Sequence, residues 1–534
     1  MKRLETIENR AFVDIKPILK SAAKYVALFV FSAVFLLVFS LWTSPMYHNW
    51  YGCDASFFTM AGRGILNGWV PYRDFFDLKG PYFFFLEALG QFLCTGRTGA
   101  WIIQVFALFF ALILMIKTCR LFVSTKKTGF IVAITLIFYS STLWGGNTLE
   151  EFALPLTLLT IYLTLRDLKK ADDLKKIADI DARKSTSTTS KAAKSDVIII
   201  KPSTAIITGI CFAIIMFSKI TVASPIIGLV LAIIIFLIKK RRFYDLITYL
   251  LYAFLGVLLG ITSIFVYFYS KGMLTRMLYS VFLFAFKRSV DFGTKFNIRW
   301  ELKISGCYFA MIFVICQIVN VKSIKSRSSD IVDFMLTSIF LSALITAITL
   351  HLGDPFIYYF TTVYPILMLT FITMFVIYDP LILFRQWRLD IPIIAFLISM
   401  SYFASHTATQ LNTVLFGRDN TYYQEYVDAA REMAGLIPSG DRDSVYSLNM
   451  DMQWFECNEL LPCFSYTINL QFFVALDNRI ESEIIDKLNN DPPKWIVIGG
   501  DLSSYLPNIN DVVINEYTNV YENDYGALYL LTSN

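Results

Sequence analysis

Three stretches concentrate the side chains able to do chemistry. The first, 44–97, contains Asp54, the run Gly68-Trp69-Val70-Pro71-Tyr72-Arg73-Asp74, and then Asp77, Lys79, Gly80 and Pro81. A carboxylate such as Asp54 can serve as a general base. It can equally cap a helix that begins there and carries Phe57, Phe58, Met60, Ala61, Ile65 and Leu66, because Asp accepts first-turn amide hydrogen bonds. Arg73 and Lys79 donate to anionic oxygens and suit a phosphate; pairing with Asp74, Asp77 or lipid headgroups is the alternative. The second stretch, 144–151, ends in Glu150 and Glu151. Acids there either favour a helix N-terminus or join Asp54 in one site. The third, 269–303, is basic and aromatic and carries Lys287 and Arg288, placed for a lipid phosphate or for ordinary headgroup contacts. His351, Asp354, Tyr358 and Tyr359 form a further group.

Other chemistries find little support. His48, His351 and His406 are the only histidines and are far apart, which does not make a metal site. No cofactor is implied, although Asp54 with Glu150 or Glu151 could hold a divalent cation. There is no P-loop, and the Gly145-Gly146 pair is too short to mark a nucleotide site. The eight cysteines show no metal spacing. Cys94, Cys119, Cys211, Cys307 and Cys316 lie in or beside apolar stretches and read as packing residues. Cys457 and Cys463 could pair in an oxidising compartment.

These residues must be positioned by elements that enter lipid. The chain of 534 residues is 56% hydrophobic and only 17% charged, against about 25% charge in soluble domains. Apolar runs fall near 25–43, 98–122, 128–144, 150–166, 203–219, 221–238, 244–268, 304–320, 332–350, 360–378 and 391–408. That is about eleven crossings, each helix needing about 20 apolar residues. A charged stretch precedes the first run without a cleavage site after it, so 25–43 reads as a retained span and not a signal peptide. Residues 81–96 are short and carry Glu87; they read as a helix lying at the membrane surface, the alternative being a genuine short span that would put Lys126 and Lys127 outside. Aromatics such as Trp50, Trp69, Trp144 and Trp300 suit the interface.

Charge sets the orientation. From Gln410 onward the chain carries about −13 and the rest about +18. Lys126-Lys127, the linker 168–201, Lys239 to Arg242, Lys322 to Arg327, and Arg385 with Arg388 all fall on one side, together with the basic N-terminus. Positive loops face the cytoplasm, so Asp54, Glu150 and the acidic tail fall outside the cell membrane. The positive charge sits in short loops and does not suggest nucleic acid. The predicted architecture is therefore a polytopic membrane bundle (1–408) with a cytoplasmic linker (168–201), followed by a small extracytoplasmic α/β domain (409–534). In that domain a helix covers 422–436 and stops at Pro438-Ser439-Gly440, and another lies around 481–490. Strands are predicted at 445–448, 495–498, 512–517 and 527–531. The linker opens as a charged helix and ends in low-complexity Ser, Thr, Lys and Ala.

The order of Asp54 after the first span, G-x-x-PYRD-x-x-x-x-KGP, and then Glu150-Glu151 resembles the GT-C glycosyltransferases. The similarity is to protein O-mannosyltransferases, aminoarabinose transferases and Rgt-type bacterial sugar transferases. It covers roughly the first 150 residues, together with the multispan layout and outer tail. The resemblance implies inverting transfer of a sugar from a polyprenyl-phosphate donor to an extracytoplasmic acceptor, with Asp54 as base. It places Lys79 on the carrier phosphate and Glu150 or Glu151 as the second-loop acid; this chain has Glu-Glu where several relatives have Asp. Tyr72, Arg73, Lys287, Arg288 and Tyr358 complete the expected substrate contacts. A WWDxxG-type motif is absent, which argues against Asn-linked glycan transfer. The competing readings are a carrier or flippase for a polysaccharide precursor, which would want charges inside the spans, and an envelope polymerase or ligase. The charges within or bordering apolar runs are Lys117, Lys219 and Glu87. No internal repeat points to a duplicated transporter, and a mere anchor for the tail would not need so many spans.

Overall fold

Backbone in lipid must satisfy its own hydrogen bonds, so apolar runs fold as helices. A computed structural model describes residues 15–143, 145–184, 198–291, 298–319, 330–352, 356–378, 387–417 and 421–532. Trp144, Asp354, the low-complexity linker 185–197 and the basic segment 322–327 lie outside the described residues, as does Arg385. Each apolar run falls on a helix: α1 (Ile15–Phe39), α4 (Arg97–Arg120), α5 (Thr125–Thr142), α6 (Leu149–Lys184), α7 (Pro202–Met216), α8 (Ser224–Lys239), α9 (Phe243–Ser270), and then Ile298–Val319, Asp330–His351, Tyr364–Ile377 and Trp387–Phe416. Two short helices, α2 (Cys53–Leu66) and α3 (Pro81–Leu93), lie between α1 and α4.

Six described stretches are long and apolar enough to cross a bilayer: Ala22–Phe39, Arg97–Arg120, Ile220–Lys239, Phe243–Ser270, Asp330–His351 and Ile357–Ile377. The chain is a multi-pass membrane protein; six crossings stand on length and composition, fewer than hydropathy predicts. The difference lies in helices such as α7, which stops at Met216, and α6, whose apolar part runs on into a charged extension to Lys184. Helix α3 has 13 residues, about 20 Å at 1.5 Å per residue, short of a hydrocarbon core of about 30 Å. It buries Phe83, Phe84 and Glu87 and leaves Leu89, Phe92 and Leu93 bare.

The tail carries a four-stranded sheet in the order β1-β2-β4-β3: β1 (Val445–Leu448), β2 (Trp495–Ile498), β3 (Tyr517–Asn523) and β4 (Gly526–Leu531). β1 and β2 are parallel; β4 is antiparallel to both its neighbours. The strand expected at 512–517 is instead the end of a helix, Pro507–Glu516, and β3 starts at Tyr517. Pro507 at the first helical position presets φ, and Leu506, Ile509 and Val513 are buried at helical spacing, so a 3.6-residue period overrides the β propensity of Val-Val-Ile. Cys457 and Cys463 are free thiols. They belong to different hydrophobic clusters, one with Trp454 and one with Tyr446, and this separation leaves them unpaired.

The tail and the first loop share a core. Phe75 packs with Phe57 and Phe84, while the next residue, Phe76, packs with Tyr466 and Phe473 of the tail. The Phe76 amide donates to the Ser465 carbonyl at 3.0 Å. Successive side chains pointing opposite ways thus pin the 70–80 segment between bundle and tail.

Candidate active site

Asp54, Lys79, Glu150, Lys219 and Tyr358 line one pocket, closed by Trp42, Phe58 and the backbone turn 146–149. Five separate segments therefore supply these side chains, and each is held by local chemistry.

Asp54 is the second residue of α2, whose N-cap is Gly52. It is not the cap itself, and its carboxylate is left for the pocket. Tyr358, in a 3₁₀ turn at Ile357–Val363, donates its hydroxyl to Asp54 Oδ2 at 3.3 Å.

Lys79 ends a folded loop. Tyr72 is fully buried with φ of 68°, a left-handed conformation that a bulky residue adopts at a cost. Its amide donates to Phe75 O at 2.7 Å and its hydroxyl to Lys79 O at 2.8 Å. Tyr72 thus positions Lys79 from behind and does not line the pocket. Asp77 caps the turn through Oδ1, which accepts from the Leu78 amide at 2.5 Å, and pairs with Lys79 through Oδ2 at 3.3 Å. Burial works against the charge of Lys79, but the Asp77 and Asp54 carboxylates outweigh it, and the pKa is pushed up to about 12. Lys79 is an ammonium at neutral pH, and its Nζ sits 4.8 Å from the Phe58 ring centroid.

Gly80 explains how Lys219 arrives. The Gly80 amide donates to Ser218 O at 2.7 Å, and a Cβ at Gly80 would collide with the Phe217 carbonyl. Only glycine lets the two backbones approach so closely. Pro81 then opens α3 at its first position, where a missing amide hydrogen costs nothing. Lys79 and Lys219 are brought together by this contact, 140 residues apart in sequence. Lys219 follows the end of α7, pairs with Glu150 Oε1 at 2.6 Å, and lies 3.6 Å from the Tyr359 ring centroid.

Glu150 and Glu151 divide cleanly. Gly145, Gly146 and Asn147 all have positive φ, which turns the chain sharply into α6. Thr148 and Glu151 then make the glutamate half of a capping box: Glu151 Oε1 accepts from the Thr148 amide at 3.0 Å and its hydroxyl at 2.8 Å. Glu151 Oε2 accepts from Gln104 Nε2 at 2.7 Å and the Tyr139 hydroxyl at 3.4 Å. Glu151 is tied into the bundle, away from the pocket. Glu150 faces the pocket; its Oε1 holds Lys219, and its Oε2 is buried with no hydrogen-bond partner among the described residues. An orphan acceptor in a pocket is a place for a ligand hydroxyl.

The remaining expected contacts lie elsewhere. Arg73 is half-exposed and pairs with Asp74 at 2.8 Å. Lys287 lies over Tyr279 and Arg288 over Phe472, neither lining the pocket. His351 meets Glu301 Oε1 at 3.1 Å. Sequence reasoning left Lys219 out of the site, noting it only as a charge beside an apolar run. Among the described residues no group of three His, Cys, Asp or Glu is placed to hold a metal ion. Glu150 already has a lysine partner, so the pocket's two carboxylates are a poor fit for a divalent cation.

This architecture, a helical membrane bundle with its charged pocket in the first loops and a small sheet-bearing tail, is shared as a fold with solved structures of another protein. Two solved structures of ArnT from Cupriavidus metallidurans are similar to it over nearly the whole chain. The one described as bound to undecaprenyl phosphate aligns with a TM-score of 0.54 at 12% identity, covering 95% of this chain and 98% of that one. The apo structure gives a TM-score of 0.50 with the same identity and coverage. No protein-family model matches the chain, and no curated protein matches it in sequence.

Proposed function

We propose that this protein is a membrane glycosyltransferase that moves a sugar from a polyprenyl-phosphate donor to an acceptor on the outer face of the cell membrane. The observation that carries the reading is one pocket holding the Asp54 carboxylate together with the ammonium groups of Lys79 and Lys219. The bound state of the ArnT relative in fold supports a polyprenyl phosphate as the donor's carrier. The charge of the basic loops supports a cytoplasmic N-terminus and a tail on the outer side.

The chemistry follows from those groups. An acceptor hydroxyl attacks the anomeric carbon from the face opposite the phosphate, so configuration inverts. The new C–O bond forms as the bond from that carbon to the phosphate oxygen breaks. The hydroxyl proton passes to Asp54, and the polyprenyl phosphate leaves with the bonding pair. Lys79 and Lys219 offset the charge that develops on its oxygen, inside a pocket where such pairing is stronger than in water. The free Glu150 Oε2 accepts from a donor-sugar hydroxyl. Lys219, which a transport path would need inside a span, stands instead at the helix break after α7.

The test is transfer from labelled polyprenyl-phosphate sugars in membranes, with Asp54→Asn at equal expression. Loss of a general base costs roughly 10²–10⁴-fold in rate, and that loss is the expected result. Equal rates would remove Asp54 from the reaction.

A further inference from the structure

We infer that the seam between α2 and the tail is a second binding site, one that takes a phosphate or carboxylate group carried on a larger molecule. A cavity of about 630 Å³ opens there, within the range of small-molecule sites. Arg63 of α2, Arg431 of the Thr421–Gly435 helix and Arg442 of the following 3₁₀ turn all line it. Asp443 and Glu459 line it too, and the balance stays positive.

The tail is strongly acidic, and its cations are few. Among the described residues, Arg479 pairs with Asp477, Lys487 with Asp491 and Lys494 with Asp441. The tail's other described cations are Arg431 and Arg442. Neither makes an ion pair among the described residues, and both face this one cavity. In a domain so rich in carboxylates, two unpaired guanidinium groups converging on one space mark it for an anion from outside. Their planar forks match the paired oxygens of a phosphate or carboxylate.

The wall is also built. The helix Met452–Cys457 ends in a Schellman turn: the Leu460 amide donates to Phe455 O at 2.9 Å and the Glu459 amide to Glu456 O at 3.2 Å. Glu459 occupies the left-handed position, φ 55°, that glycine favours. Arg63 reaches across from α2 and donates to the Glu459 carbonyl at 2.8 Å. One arginine thus fixes the loop while the other two remain available. The site is distinct from the Asp54 pocket: Arg63 lies nine residues farther along α2, about 14 Å and half a turn away. It stands whether or not the pocket transfers sugar.

The test uses the full chain in phosphatidylcholine nanodiscs and follows phosphorus-NMR line broadening of inorganic phosphate. A Lys79→Gln background removes a competing cation in the other pocket. Saturable broadening is expected in that background, weakened at least tenfold by adding Arg431→Gln and Arg442→Gln. Both arginines are exposed and unpaired, so the melting temperature should not move; it is measured alongside. Replacing both with lysine, which keeps the charge and loses the planar fork, should weaken broadening less than glutamine does. Broadening unchanged by the glutamine pair, or absent from the Lys79→Gln protein, overturns the site. Nanodiscs containing phosphatidylglycerol separate the sources: competition with phosphate identifies a lipid headgroup, and none identifies a group on a water-soluble molecule.

Discussion

The two faces of the turn at 145–151 use the same residue type in opposite ways. On the bundle side Glu151 is saturated, with Thr148, Gln104 and Tyr139 all donating to it. On the pocket side Glu150 has one lysine and one unused oxygen. The bundle side is complete as it stands, and its role is to hold α6 in place. The pocket side leaves one carboxylate oxygen for a ligand, beside the two lysines that line the same space. What separates the two is a single helical step.

Lys219→Met leaves Glu150 buried without a cation, and breaking a buried pair costs about 3–5 kcal/mol. A clear drop in melting temperature is expected, and adding Glu150→Gln should recover much of it without restoring transfer. Gly80→Ala comes next. Its methyl must push the 217–218 backbone away, and a misplacement of roughly 1 Å costs on the order of 10²-fold in turnover; transfer assays with matched expression check this. The two glutamates then give different results. Glu151→Gln should lower stability by about 1–3 kcal/mol through lost or mismatched hydrogen bonds, measured by thermal melting. Glu150→Gln should lower melting less than Lys219→Met does, because Lys219 keeps partial exposure and the Tyr359 ring, and should raise the KM for donor. Arg73→Gln should do least, within about 0.5 kcal/mol, with donor KM unmoved, because its partner is Asp74 at the surface.

Much of this was legible beforehand and some was not, for identifiable reasons. Apolar runs announced the helices because lipid permits little else. The division between Glu150 and Glu151 was also written in the sequence, since Thr148-x-x-Glu151 has the spacing of a capping box; setting the two acids side by side as candidates passed over it. Lys219 could not be reached by spacing along the chain. Its partnership with Lys79 depends on Gly80 lying against the 217–218 backbone, a contact between distant segments. Arg73 and Tyr72 belong to the same motif as Lys79, but folding gives Arg73 to Asp74 and turns Tyr72 inward as a support. The helix at 507–516 was misread because Val-Val-Ile suggested a strand while Leu506-Pro507 marked a helix start.

The most direct measurement separates binding from reaction in the pocket. Donor affinity and single-turnover transfer would be measured for Asp54→Asn against the parent, and for Lys79→Gln with Lys219→Gln in a Glu150→Gln protein, which avoids an unpaired buried acid, against Glu150→Gln alone. The account predicts that Asp54→Asn binds polyprenyl-phosphate sugar as the parent does and fails to transfer it, while the lysine variant binds it poorly. Normal donor binding by the lysine variant, or normal transfer by Asp54→Asn, would contradict it.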